Sequence, residues 1–151
     1  MSLESVRAFF AQNAPDIAVI ESPLSSATVA LAAEAYGVEP GRIAKTLSLR
    51  ISERVVLIVT AGTSRLDNKK LKAQFGGKSK MLGLDEVAGI TGHEVGGVCP
   101  FGLKTPLPVY CDASLKAYDM IVPAAGSTHS AVRIAPARMA ELVGAEWVDV
   151  C

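Results

Sequence analysis

Val6, Phe9 and Phe10 recur at helical spacing in SLESVRAFFAQN, and this stripe predicts a first helix over residues 2–13 with Ser2 as N-cap. DIAVIE (16–21) alternates weakly, as a strand would. Ser25 or Ser26 is placed to cap a second helix over 26–36, with Gly37 at its C′ position. PGRIAK (40–45) reads as a short helical turn started by Pro40. TLSLRIS (46–52) then alternates with period two, and ERVVLIVTA (53–61) is apolar on both faces, which suits the centre of a sheet.

In the second half, GTSRLDN (62–68) is a turn-rich loop leading into a basic helix with Lys69, Lys70 and Lys72, closed near Gly76 and Gly77. SKMLGL (79–84) predicts a short strand, and Asp85 opens a helix that ends near Gly92. LPVYCD (107–112) is a strand whose Pro106 and Pro108 suggest an edge or a bend. Residues 118–126 and 129–135 flank a small-residue turn as a strand pair; Pro136 starts a last helix ending at Gly144, and EWVDV (146–150) is a final strand. Strands that come both adjacent and separated by helices predict an α+β fold: a mixed, partly barrel-like β-sheet surrounded by helices, as one domain over residues 1–151. No GxGxxG follows a strand and no GxxxxGK[ST] is present, which argues against a doubly wound nucleotide-binding fold.

Half of the residues are hydrophobic, enough for a filled core. The 15 basic and 15 acidic side chains cancel, so net charge offers no argument for constitutive nucleic-acid or membrane binding. VVLIV (55–59) is too short to span a bilayer, and Glu4 in the first ten residues argues against a signal peptide. Three cysteines (Cys99, Cys111, Cys151) without framework spacing, and two histidines without a metal-ligand pairing, predict a reduced cytoplasmic protein with no metal and no cofactor. Cys111 falls in a strand pattern and reads as core, whereas Cys151 is expected to be exposed.

Charge is nevertheless uneven. Arg65, Lys69, Lys70, Lys72, Lys78 and Lys80 hold six of the 15 basic residues, opposed only by Asp67. The segment is either a docking face for a polyanion or a solvated helix face. Lys45, in RIAKTL, is either a fixed cation in a cleft or a snorkelling surface lysine. GGVCPFG (96–102) concentrates backbone constraint around Cys99. Its glycines permit close approach of a ligand to backbone N–H groups, and Pro100 extends the residue before it. Cys99 as a nucleophile would need His93 or His129 beside it, a proximity that sequence does not show. AAGSTHS (124–130) is either a pocket wall for a small side chain or an ordinary turn.

These features occur in a recognisable order: AKTL opening a strand, GTSRLDNKKL after the next strand, a GGxxPxG loop about fifty residues beyond the lysine, then a glycine-bearing turn, a helix and a strand. The chain thereby resembles the YbaK/ProX family of aminoacyl-tRNA deacylases from about Ile17 to Val150, a domain also inserted in bacterial prolyl-tRNA synthetases. The resemblance implies metal-independent, trans-acting hydrolysis of the ester on mischarged tRNA, chiefly proline tRNA carrying a small non-cognate amino acid. Partners implied are the aminoacylated 3′ end of tRNA and prolyl-tRNA synthetase; monomer and homodimer both stay open. Lys45 and Gly97 are implied as catalytic. Ser26, Thr28, Thr46, Gly96, Cys99, Pro100, Gly102 and Gly126 are implied as substrate-binding, and Arg65, Lys69, Lys70 and Lys72 as tRNA-binding. Many relatives carry serine where this chain has Cys99, which favours a backbone role for the loop. Ala124 and Ala131 stand where some members place a serine and an aspartate. A non-catalytic tRNA- or synthetase-binding module and a Cys99 thiol hydrolase are the alternatives.

Overall fold

The structure, a computed structural model, describes residues 2–151. Helix α1 (Ser2–Asn13) is followed by a two-residue strand β1 (Ile20–Glu21), helix α2 (Val29–Tyr36) and a 3-10 turn at Pro40–Arg42. The hairpin β2 (Ile43–Ile51) and β3 (Arg54–Ala61) comes next, then α3 (Asn68–Phe75), β4 (Ser79–Met81) and α4 (Leu84–Thr91). A long glycine-rich connection leads to β5 (Val109–Asp112), a 3-10 turn at Ala113–Ala117, β6 (Val122–Pro123), β7 (Ser130–Ala131), α5 (Pro136–Val143) and β8 (Glu146–Val148).

The main sheet has the order β4-β2-β3-β5-β8, with β6 also on β2, and β1 pairs with β7 apart from it. β2 is antiparallel to β3 and β4, while the β2–β6, β3–β5 and β5–β8 pairs are parallel. The fold is mixed α+β, and the sheet stays open rather than closing into a barrel. β3 takes the centre, as its two-sided apolar pattern requires. Leu57 and Val59 enter a core with Val6 and Phe10 of α1 and Met139 of α5, whereas Val56 and Ile58 meet Leu49, Ile51, Leu71 and Val148 on the opposite face. A third cluster packs Ala32, Ala33 and Tyr36 of α2 on Ile43, Val122 and Ala131.

Several expectations need correction. The strand over 16–21 shrinks to Ile20–Glu21. The cap of α2 is Thr28, whose side chain accepts from the Leu31 N–H, because Ser26 is drawn off to the Thr128 carbonyl. Residues 43–45 extend rather than coil, so Lys45 is the third residue of β2 and not a helix–strand junction. The strand at 79–84 ends at Met81, and α4 starts at Leu84 behind Gly83. Segment 107–112 is not an edge: both prolines precede β5, which lies between β3 and β8, and the Pro108 carbonyl accepts from the Leu57 N–H. The strand pair of 118–126 with 129–135 reduces to two antiparallel bridges, Ile121 with Ile134 and Ala124 with Ala131, since β6 is recruited by β2 and β7 by β1. Ser2 does not act as a free cap; it lies in the first turn and its hydroxyl donates to the Gly126 carbonyl. Cys111 is buried as expected, but Cys151 is only partly exposed.

Candidate active site

The outer edge of β2 changes partner along its length. β6 covers Ile43 and Ala44, β4 covers Leu49 to Ile51, and Lys45 to Leu47 lie between the two. A cavity of ≈ 240 Å³ opens at this break. β2 contributes Lys45, Thr46 and Ser48 to its wall; the approach to α2 and the helix contribute Ser26, Thr28 and Tyr36; the glycine loop contributes Gly96 and Val98. Apolar Val29, Ala32, Ile43, Leu82, Val87 and Val122 complete most of the lining, and exposed Met81, Leu84 and Val95 form its rim.

Lys45 is half-buried, and its Nζ donates to the Ser64 carbonyl at 2.5 Å. Burial holds its pKa below the ordinary lysine value; Cys151 opposes that fall and the neighbouring Arg65 cation adds to it. The lysine is therefore a restrained cation on the cavity wall, not a snorkelling surface group. Ser64 and Arg65 join the lysine to the basic segment. Arg65, Lys69, Lys70 and Lys72 are exposed, and Asp67 caps α3 by accepting from the Lys69 and Lys70 N–H groups. Lys70 is tied to Asp149 (3.0 Å) and to the Cys151 carbonyl (2.7 Å).

Of the residues implied by sequence, Lys45, Ser26, Thr28, Thr46 and Gly96 meet at the cavity. Gly97, Cys99, Pro100, Gly102 and Gly126 stand behind its wall. The Gly97 N–H donates to the Glu94 carbonyl (2.9 Å), and the Gly97 carbonyl accepts from the Gly126 N–H (3.1 Å). Gly102 and Gly126 lie against α1, where a Cβ would meet the backbone of Ser5 or Ser2 at 2.5–2.7 Å. The glycine–proline loop thus acts through its shape: it locks to the 126–127 turn and to α1, and presents Gly96 and Val98 to the cavity.

Cys99 is fully buried, with Sγ 3.5 Å from His93 Nε2 and 3.7 Å from the Phe101 carbonyl. The proximity a thiol mechanism needs is present, yet its other requirements are missing. Burial pushes the thiol up to about 12. His93, also fully buried, has its pKa lowered by burial, and its Nε2 is 2.7 Å from the Phe101 carbonyl, to which it donates. An Nε2 that donates there cannot also accept the thiol proton. The pair is core, and the thiol cannot reach a substrate. Among the described residues no group of three or more His, Cys, Asp or Glu side chains is arranged to hold a metal ion, and no helix is long and apolar enough to cross a membrane.

Tyr36 and the 81–87 wall were not legible as site residues. Tyr36 closes an apolar helix face just before a C′ glycine, where a core residue is expected. Met81, Leu82, Leu84 and Val87 line the cavity where β4 gives way to α4.

A family model described as an aminoacyl-tRNA editing domain matches residues 25–142. An uncharacterised protein of Bacillus subtilis, YwhH, is 48% identical over 153 residues, covering 100% of this chain and 98% of its own length. EbsC of Enterococcus faecalis, named as a Cys-tRNA(Pro)/Cys-tRNA(Cys) deacylase, is 33% identical over 86% of this chain and 79% of its own. A proline–tRNA ligase of Bacillus licheniformis is 31% identical over 60% of this chain, which is 16% of the ligase. Among solved structures, one described as a trans-editing enzyme for prolyl-tRNA synthetase superposes with TM-score 0.91 at 33% identity, covering 99% of this chain and 96% of that one.

Proposed function

The chain belongs to the aminoacyl-tRNA editing domain family, and from that premise we propose that it is a free-standing, trans-acting deacylase of the cytoplasm that hydrolyses the ester of mischarged tRNA. Proline tRNA carrying a small non-cognate amino acid is the proposed substrate, and prolyl-tRNA synthetase the proposed source of it. The observation that carries this reading is Lys45: a restrained ammonium on the wall of a mostly apolar cavity, contiguous with the basic Arg65–Lys72 segment.

An aminoacyl ester is already activated, so neither a metal nor a covalent enzyme intermediate is required. Water adds to the carbonyl carbon, the tetrahedral oxyanion collapses, the bond to the ribose oxygen breaks, and that oxygen leaves with a proton as the tRNA hydroxyl. The protein's task is to hold the ester in place and to stabilise the developing negative charge. Lys45 faces that charge from a partly desolvated position, where an ammonium acts more strongly than in bulk water. The apolar wall sorts acyl groups by size, a discrimination of roughly 1–3 kcal/mol per methylene. Arg65, Lys69 and Lys72 hold the phosphates of the acceptor end.

A panel of proline tRNAs charged with alanine, cysteine, serine, threonine or 2-aminobutyrate tests the reading. At least one ester is hydrolysed, with EDTA having no effect. Lys45→Ala lowers kcat/KM by about two orders of magnitude or more while the circular dichroism spectrum is unchanged. Full activity in Lys45→Ala would remove the lysine from the mechanism. Salt-sensitive tRNA binding without hydrolysis of any ester would leave a binding module instead.

A further inference from the structure

Six hydroxyl-bearing side chains line the cavity: Ser26, Thr28, Tyr36, Thr46, Ser48 and Ser130. Three are engaged by the protein itself. Ser26 Oγ donates to the Thr128 carbonyl (2.9 Å) and Thr28 Oγ1 accepts from the Leu31 N–H (3.2 Å). Ser130 Oγ donates to the Ala125 carbonyl (3.1 Å) and lies 2.6 Å from Ser127 Oγ. Two others, the Tyr36 hydroxyl and Thr46 Oγ1, are buried with no hydrogen-bond partner among the described residues.

Tyr36 is the sharper case. The residue is 7% exposed and lines the cavity, and its hydroxyl has no hydrogen-bond partner among the described residues. Ser26, the polar side chain beside it, gives its own proton to the Thr128 carbonyl and is close enough to favour the ionised phenol, yet the two hydroxyls do not meet hydrogen-bond geometry. A phenol buried without a partner costs free energy that a phenylalanine would avoid, and Phe would pack the same helix face against Ile43 and Val122. The hydroxyl therefore adds little to the packing of this helix that a phenylalanine would not supply. Ala32, Ile43, Val122 and Ala131 surround it with apolar surface that accepts methyl groups, while Lys45 and Ser48, the sixth hydroxyl, are further polar groups of the lining.

We propose that Tyr36 is a specificity-determining residue of the acyl pocket, pairing with a hydroxyl on the amino-acid side chain, so that the enzyme prefers seryl and threonyl esters to their deoxy counterparts. The inference rests on the deacylase reading above. Thr46, adjacent to Lys45 on β2, supplies the second free hydroxyl of the same pocket. Threonine presents both the hydroxyl these groups require and the methyl the apolar wall accommodates. A site built to bond a hydroxyl rejects the analogue lacking it far better than an apolar site rejects an added hydroxyl, because its own polar groups are left unpaired.

The experiment compares kcat/KM on one tRNA in two matched pairs, serine against alanine and threonine against 2-aminobutyrate, each pair differing by a single oxygen. The wild-type protein is expected to favour the hydroxylated member by about tenfold or more. Tyr36→Phe, which keeps the ring, brings that ratio down by about tenfold, and Thr46→Val lowers it in the same direction. A merely structural role would alter all four esters alike and leave the ratios intact. Unchanged ratios in both variants, or a wild type that hydrolyses alanyl and 2-aminobutyryl esters as fast as the hydroxylated ones, overturns the specificity assignment while the deacylase reading stands. Failure of folded wild-type protein to hydrolyse any of the four overturns both.

Discussion

His93 and Cys99 sit 3.5 Å apart in full burial, and each has a measurable consequence. With Nε2 donating to Phe101, His93 Nδ1 is a buried acceptor without a partner among the described residues. Burial lowers its pKa, the Phe101 carbonyl partly opposing. The unfolded imidazole, with a value of about 6.5, therefore takes up a proton at a pH where the folded one does not. Stability is complete above that value and falls as pH drops below it. Urea midpoints should decline between about pH 7 and pH 5, and His93→Gln, whose amide N–H₂ can still serve Phe101, should flatten that decline. An equal decline in the variant would assign it to other groups. For Cys99, the inert thiol predicts that Cys99→Ser lowers stability by about 1–2 kcal/mol, because a hydroxyl replaces a small hydrophobe in the core. Turnover per folded molecule stays within about twofold of wild type; a loss of several orders of magnitude would reinstate the nucleophile.

Elements dominated by local periodicity were readable in advance. α1, the β2–β3 hairpin, the basic helix and α5 all follow from patterns completed within a dozen residues. Elements whose partners lie far along the chain were not. Residues 118–135 read as a hairpin, but β2 competes for Val122 and β1 for Ser130, and long-range pairing wins. The GGVCPFG loop is a mixed case. Its constraint was visible, but the object it is constrained against was not. Gly97 faces the 126–127 turn so closely that a Cβ would meet Ser127 N at 2.7 Å and Gly126 C at 2.8 Å, both backbone atoms that cannot rotate away. Gly97→Ala should therefore cost about 1–3 kcal/mol by thermal unfolding and loosen the wall that presents Gly96. Gly89, inside α4 with nothing within 4 Å, is the control: its alanine variant should gain up to about 1 kcal/mol. Equal effects at the two positions would remove the close-packing argument.

At the scale of the whole molecule, the cavity exists because two short strands meet the same edge of β2 without touching end to end. Sequence displayed Lys45 and the lysine run as separate features twenty residues apart. The structure joins them at Ser64 and Arg65: Lys45 donates to the Ser64 carbonyl, and the Arg65 cation is near enough to lower its pKa. That arrangement makes a graded prediction. Each lysine that meets a phosphate releases counterions, so replacing it should reduce the slope of log affinity against log salt by about one. Lys69 and Lys72 are exposed on α3, and alanine at each should show that loss together with a raised KM and an unchanged kcat. Lys70 is already held by Asp149 and the Cys151 carbonyl, so an ion pair must break before it can serve a phosphate. Lys70→Ala should change the slope by less than half as much. Slopes unchanged from wild type in all three variants would mean that the tRNA does not follow α3 to Lys45. The acceptor end would then have to enter across the apolar rim of Met81, Leu84 and Val95, where mutation of α3 would be silent.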